Sequence, residues 1–161
     1  MKKTLLSAFG AALSLAAVAQ IPFPVNIDTS WSATTVWMPK SPLKMQVRFV
    51  GGVDTVETTD TYGNKGGKTI AKQWHDFIGF TPDNTPGTQD LGWVSVNHEM
   101  IQKNDMIGDG GGMTVFKLRR LNGDVLEVVP QELYDGRSGK FFNVDFTNIT
   151  GETGMNCSGI V

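Results

Sequence analysis

Only one cysteine, Cys157, occurs among the 161 residues, so no internal disulfide can form. A lone thiol of this kind is either a small buried hydrophobe, or a metal ligand or reactive group. No second cysteine stands near it, which excludes zinc-finger and Cys-x-x-Cys chemistry. Histidine is nearly as scarce. His75 and His98 are the only two, and no Gly-x-Ser-x-Gly elbow is present, so a serine-hydrolase triad has little to work with. Positive charge is short as well, with 14 Lys and Arg against 16 Asp and Glu. The basic residues are scattered, and Arg119-Arg120 is the only adjacent arginine pair. Nucleic-acid binders show a basic patch or stripe, and membrane-surface binders show a basic amphipathic helix; neither is found. Long apolar runs are missing after the first 20 residues, so no stable membrane span is expected.

What the N-terminus does have is an export signal. Lys2 and Lys3 are followed by an apolar run from Leu5 to Val18 and then by Ala17-Val18-Ala19, the small-x-small pattern of a cleavage site. Residues 1–19 therefore read as a signal peptide, with Gln20 as the new first residue. Two lysines are not a twin-arginine signal, so the general secretory route is expected, with a periplasmic or extracellular destination. Its removal takes two lysines away, leaving 12 basic against 16 acidic residues and a net charge of −4. Residues 20–43, with four prolines, read as an extended lead-in, and 44–161 as the folded part.

Glycine punctuates that folded part at short intervals. Between the marks lie runs with period-2 alternation or β-branched and aromatic enrichment, which predict strands over 44–50, 53–58, 91–96, 113–121, 124–129 and 141–146. Asn122-Gly123 between two of these runs predicts a two-residue hairpin with positive φ at both turn residues. Residues 69–77 suit a helix or a strand, and 81–89 suit a surface loop. Short strands with regular turn signals indicate an all-β sandwich, barrel or propeller, and no strand–helix alternation supports a parallel sheet.

Three places could carry chemistry. Asn97-His98-Glu99 follows a predicted strand and offers an amide oxygen, an imidazole and a carboxylate, hard and borderline metal ligands together. A solvated strand end is the plainer reading, because adjacent strand residues point to opposite faces. Asp105 to Gly112 sets two aspartates among glycines, but the spacing fits neither an EF-hand nor a phosphate loop, so a flexible turn is expected. Asn156-Cys157, preceded by Gly151-Glu152-Thr153-Gly154, could hold a thiolate where the backbone comes close to a metal.

Four motifs then occur in a suggestive order: His75-Asp76-Phe77-Ile78-Gly79-Phe80-Thr81-Pro82, Leu91-Gly92-Trp93-Val94-Ser95-Val96-Asn97-His98-Glu99, Gly111-Gly112-Met113-Thr114-Val115 and Met155-Asn156-Cys157-Ser158-Gly159. Together they resemble the N-terminal part of the PhoX-type alkaline phosphatase family. The resemblance covers roughly residues 74–161. It implies an all-β, propeller-like fold, present here only as an N-terminal fragment of one or two blades. It further implies an exported phosphomonoesterase that uses iron and calcium and acts on small phosphorylated substrates when full length. Cys157 would match the family's iron-ligating cysteine, with Asn97, His98, Glu99 and Asn156 at or near the metal cluster. In that family the Asn-Cys-x-Gly element continues into Thr-Pro-Trp-Gly and a pair of glutamates, which do not occur here. A non-enzymatic exported β-rich binding protein is the alternative, because one fold hosts many functions. A complete small β-barrel is a third possibility.

Overall fold

The structure, a computed structural model, describes residues 44–60, 65–101, 103, 107–108, 110–157 and 159. The expected export signal (1–19), the expected lead-in (20–43), Asp105 and Asp109 lie outside the described residues. Gln46–Val161 forms a compact unit of its own, separate from Met1–Met45. Among the described residues no helix is long and apolar enough to cross a membrane.

Among the described residues nine strands follow one another: β1 (Thr55–Thr59), β2 (Lys65–Ile70), β3 (His75–Pro82), β4 (Asp90–His98), β5 (Met113–Arg120), β6 (Leu126–Val129), β7 (Gln131–Glu132), β8 (Ser138–Gly139) and β9 (Phe142–Val144). One short helical turn, α1 (Thr147–Thr150), comes after them. The all-β class read from the sequence is therefore observed. Seven strands make one sheet in the order β2-β1-β9-β5-β4-β3, with β6 also paired to β5, while β7 and β8 form a separate ribbon. β3, β4, β5 and β6 run as an antiparallel meander. β9 and β6 share one side of β5, β9 against Met113–Val115 and β6 against Lys117–Arg120. β1 joins β9 in parallel through a single register pair, Glu57 with Phe142.

Register decides where the core sits. Val94 lies opposite Phe116 and Val96 opposite Thr114, so these side chains share a face with Val128. A second apolar cluster gathers Val56, Ala71 and Ile107, and Phe49 and Phe141 are packed against both. The Phe49 ring lies 5.8 Å from Phe116 and 5.1 Å from Phe141. Burying such a ring contributes about 2 kcal/mol each, so these two phenylalanines join the clusters into one layer.

Residues 44–50 form no strand, against the alternation of their sequence. Hydrogen bonds elsewhere account for this. The Gln46 Oε1 accepts from Leu126 N–H at 3.0 Å, taking the place of a strand partner beside β6. Val50 closes a turn, its carbonyl accepting from Val53 and Asp54 while its N–H donates to Asp54 Oδ2 at 2.7 Å. Residues 69–77 are neither a helix nor one strand, because Trp74 at φ +55° separates β2 from β3. The hairpin at Asn122-Gly123 forms, but positive φ falls on Gly123 and Asp124 rather than on Asn122. The bond from Leu121 N–H to the Val125 carbonyl closes a three-residue loop instead of a two-residue one.

Gly92 is required where it stands. It sits at φ +146° beside a register shift in the β4–β5 pairing, and a Cβ there would lie 2.1 Å from the Thr81 carbonyl oxygen and 2.8 Å from Pro82 Cα. Both obstacles are backbone, so β3 itself would have to move. Gly92→Ala is expected to destabilise the protein by about 2 kcal/mol, beyond the ordinary glycine–alanine difference. A thermal melt checks this; an unchanged midpoint would show that the strand pair yields freely.

Candidate metal centre

β3 begins and β4 ends at the same place, since His75 pairs with His98 across the two strands. Pleat alternation continues the core face of β4 through Val94 and Val96 to His98, which is 0% exposed. Its Nδ1 lies 3.1 Å from the Gln73 carbonyl and its Nε2 2.9 Å from Thr114 Oγ1. A carbonyl can only accept, so Nδ1 carries a hydrogen, and in the neutral ring that burial favours, Nε2 accepts from the threonine hydroxyl. Burial, helped by nearby His75 and Lys72, pushes the ring's pKa down to about 4. Lys72 is buried beside it and donates to the Gly111 carbonyl.

Beyond His98 the chain turns. Glu99 N–H donates to the Trp74 carbonyl at 2.8 Å, and Asn156 N–H donates to the His98 carbonyl at 3.0 Å. Gly111 N–H reaches the Thr153 carbonyl at 3.2 Å. These bonds lay the Cys157 segment against the end of β4. The result is a cluster in which a carboxylate oxygen of Asp76, one of Glu99 and the Cys157 Sγ lie within 4.8 Å of one another. Asp76 and Cys157 are exposed and Glu99 is half-buried. The exposure of Cys157 rules out the buried-hydrophobe reading of the lone thiol. Its Sγ is 3.0 Å from the Met155 carbonyl, and the Glu99 carboxylate beside it pushes the thiol pKa up.

Of the five residues picked from the sequence, Glu99 and Cys157 come together here. His98 turns into the core with both ring nitrogens engaged inside the protein, so it offers no lone pair to this cluster. Asn97, on the opposite face of β4 from His98, is buried at 7% exposure. Asn156 is half-buried, and its Oδ1 lies so near Gly111 that a Cβ on that glycine would be 2.3 Å away. The sequence reading missed Asp76. The available signal was strand order: His75-Asp76 opens one motif and His98-Glu99 closes the next, and an antiparallel pair sets such ends side by side.

Gly110, Gly111 and Gly112 are buried, not a flexible turn on the surface. A Cβ on Gly110 would lie 2.2 Å from the Met100 carbonyl, so this crossing needs bare backbone. No family model, curated protein or solved structure matches this chain.

The donor set fits a metal. Two carboxylates are hard ligands suited to calcium or iron, and one thiolate is a soft ligand that selects transition metals.

Proposed function

We propose that the chain is the N-terminal part of an exported metal-dependent phosphomonoesterase of the PhoX type, with Cys157, Glu99 and Asp76 contributing to its metal site. The observation that carries this reading is the convergence of three ligand side chains from three separate motifs at one strand end. In the proposal Cys157 supplies the soft ligand for iron, and Asp76 and Glu99 supply oxygens to iron or calcium. Iron in such a site contributes Lewis acidity toward a phosphoryl oxygen, and calcium offsets phosphate charge. His98 acts as a support: its carbonyl fixes Asn156, and its buried ring keeps that strand end in place. Asn97 and Asn156 belong to the surroundings of the centre rather than to its ligand set.

The proposal extends to architecture. A propeller blade is a four-stranded antiparallel sheet, and β3-β4-β5-β6 is such a meander. In this reading it is one blade of a propeller-like fold, whose sheet β9, β1 and β2 extend beyond β5.

Cys157→Ser tests the site. A hydroxyl replaces the thiolate with a harder, weaker ligand. Wild-type protein titrated with cobalt(II) should develop a thiolate-to-metal charge-transfer band. The variant should lose that band and at least the roughly tenfold in affinity that even an outer-shell change costs. An identical titration of the two proteins would remove Cys157 from the centre. In the full-length protein loaded with iron and calcium, the proposal predicts hydrolysis of a phosphomonoester and the non-enzymatic alternative predicts none.

A further inference from the structure

We propose that the hollow at the start of β3, lined by Phe49, Val50, Gly51, Gln73, Trp74 and His75, binds a planar aromatic ring, that of the alcohol carried by a phosphomonoester. Assigning the ring to a leaving alcohol rests on the phosphomonoesterase reading; the ring site itself stands on the geometry of the hollow. Its volume is about 380 Å³, within the roughly 300–1,000 Å³ of small-ligand sites.

Aromatic rings build one side. The exposed His75 ring is stacked on Phe49, with centroids 4.9 Å apart and planes at 16°. A third ring can extend such a stack with the offset geometry that aromatic pairs prefer. Trp74 adds a second aromatic surface and is 54% exposed although it is one of the largest apolar side chains. It also stands at φ +55°, a left-handed conformation that is a true outlier for a bulky residue. Strained backbone of this sort clusters at ligand clamps, where the surrounding structure holds it. Here the Glu99 N–H holds the Trp74 carbonyl at 2.8 Å, and the β3–β4 register shifts just after His75.

Bare backbone lies directly against the His75 ring. A Cβ on Gly51 would lie 2.3 Å from His75 Nε2 and 2.4 Å from the Lys72 carbonyl, and Gly52 sits at φ +77° against Gln73. Glycines at both positions let the chain pass close against His75 and Gln73. The metal centre is next door in the chain. His75 lines the hollow while the following residue, Asp76, contributes a carboxylate to the cluster, and Trp74 is bonded to Glu99. Ring and phosphate of one substrate would then be read at the same strand end.

The test uses the full chain without metal, titrated calorimetrically with 1-naphthol and, separately, with glycerol. Both are alcohols of phosphomonoesters, and only the first has a ring. Saturable binding of 1-naphthol and none of glycerol is the expected result. Trp74→Gly removes the ring but accepts the left-handed backbone, so it should melt cooperatively and bind 1-naphthol at least tenfold more weakly. If that variant does not fold, Trp74→Asn, which also tolerates this conformation, carries the same comparison. Equal binding by variant and wild type, or no saturable 1-naphthol binding, overturns the ring site. The probe has no phosphate and needs no metal, so its failure leaves the phosphatase reading intact. Loss of that reading through Cys157→Ser leaves the ring site standing.

Discussion

Phe142→Ala lowers the unfolding free energy by about 3–5 kcal/mol, the range for deleting a large buried aromatic side chain. Phe142 is 0% exposed and occupies the one register position that joins β1 to β9. Its backbone also lies opposite Val115 of β5, so the residue sits where three strands meet. The ring is 6.3 Å from Trp93, and the Arg137 guanidinium lies over it at 5.6 Å. That guanidinium is itself buried and donates to the Glu57 carbonyl at 3.2 Å and the Asn143 carbonyl at 2.6 Å. Truncation leaves a void that these neighbours cannot fill without giving up hydrogen bonds. Urea denaturation measures the loss, and Phe142→Leu should recover much of it by restoring apolar volume. A loss below about 1 kcal/mol would mean that the junction collapses around the gap.

Acid destabilises the protein well before its carboxylates are protonated. His98 titrates at about 4 in the folded chain against an ordinary 6.5, chiefly because burial disfavours its charged form. The unfolded chain therefore binds the extra proton first, and stability is lost as pH falls from 6.5 through 4. The loss from this one group reaches about 2 kcal/mol at pH 5 and about 3 kcal/mol at pH 4. His75, also lowered by burial, acts in the same direction. Asp83, held down to about 2 by its hydrogen bond from Lys117, and Asp90, lowered by Arg119, add their losses only below 3.8. The two windows are thus separable. Urea melts between pH 7 and pH 4 should show the decline, and His98→Gln, though less stable at pH 7, should lose most of the slope. A wild-type stability that is flat from 7 to 4 would show that His98 is not held neutral.

The sequence made β4, β5 and β6 legible because alternation and turn glycines are local signals, whereas β3 fell on 69–77, open between helix and strand, and on the start of the expected loop 81–89. β4 and β5 lie almost where period-2 patterning puts them. What it could not show depended on partners distant in the chain. Residues 44–50 alternate as a strand would, yet Gln46 bonds Leu126, 80 positions away, and the strand is not made. β9 is only Phe142–Val144, shorter than its apolar run, because its neighbours β1 and β5 meet it over few residues. At the site, Cys157 and Glu99 stood out by residue type, whereas Asp76 is an ordinary exposed aspartate until strand pairing sets it beside them. His98 reads as a ligand by chemistry and as core by pleat; burial decided for the core.

The single parallel contact between β1 and β9 bears on how the chain finds its fold. The meander from β3 to β6 pairs strands that follow one another in the chain, across connections of at most 14 residues, and can assemble early. Joining Glu57 to Phe142 closes a loop of 142 − 57 = 85 residues, and it must wait until enough apolar surface is gathered to offset that closure entropy. β1 and β2 consequently dock last and open first. Their amides are expected to exchange with solvent as one unit at lower free energy than those of β4 and β5, which native-state hydrogen exchange measures. Because the Cys157 segment is anchored on β4, the proposed metal centre belongs to the slow-exchanging half.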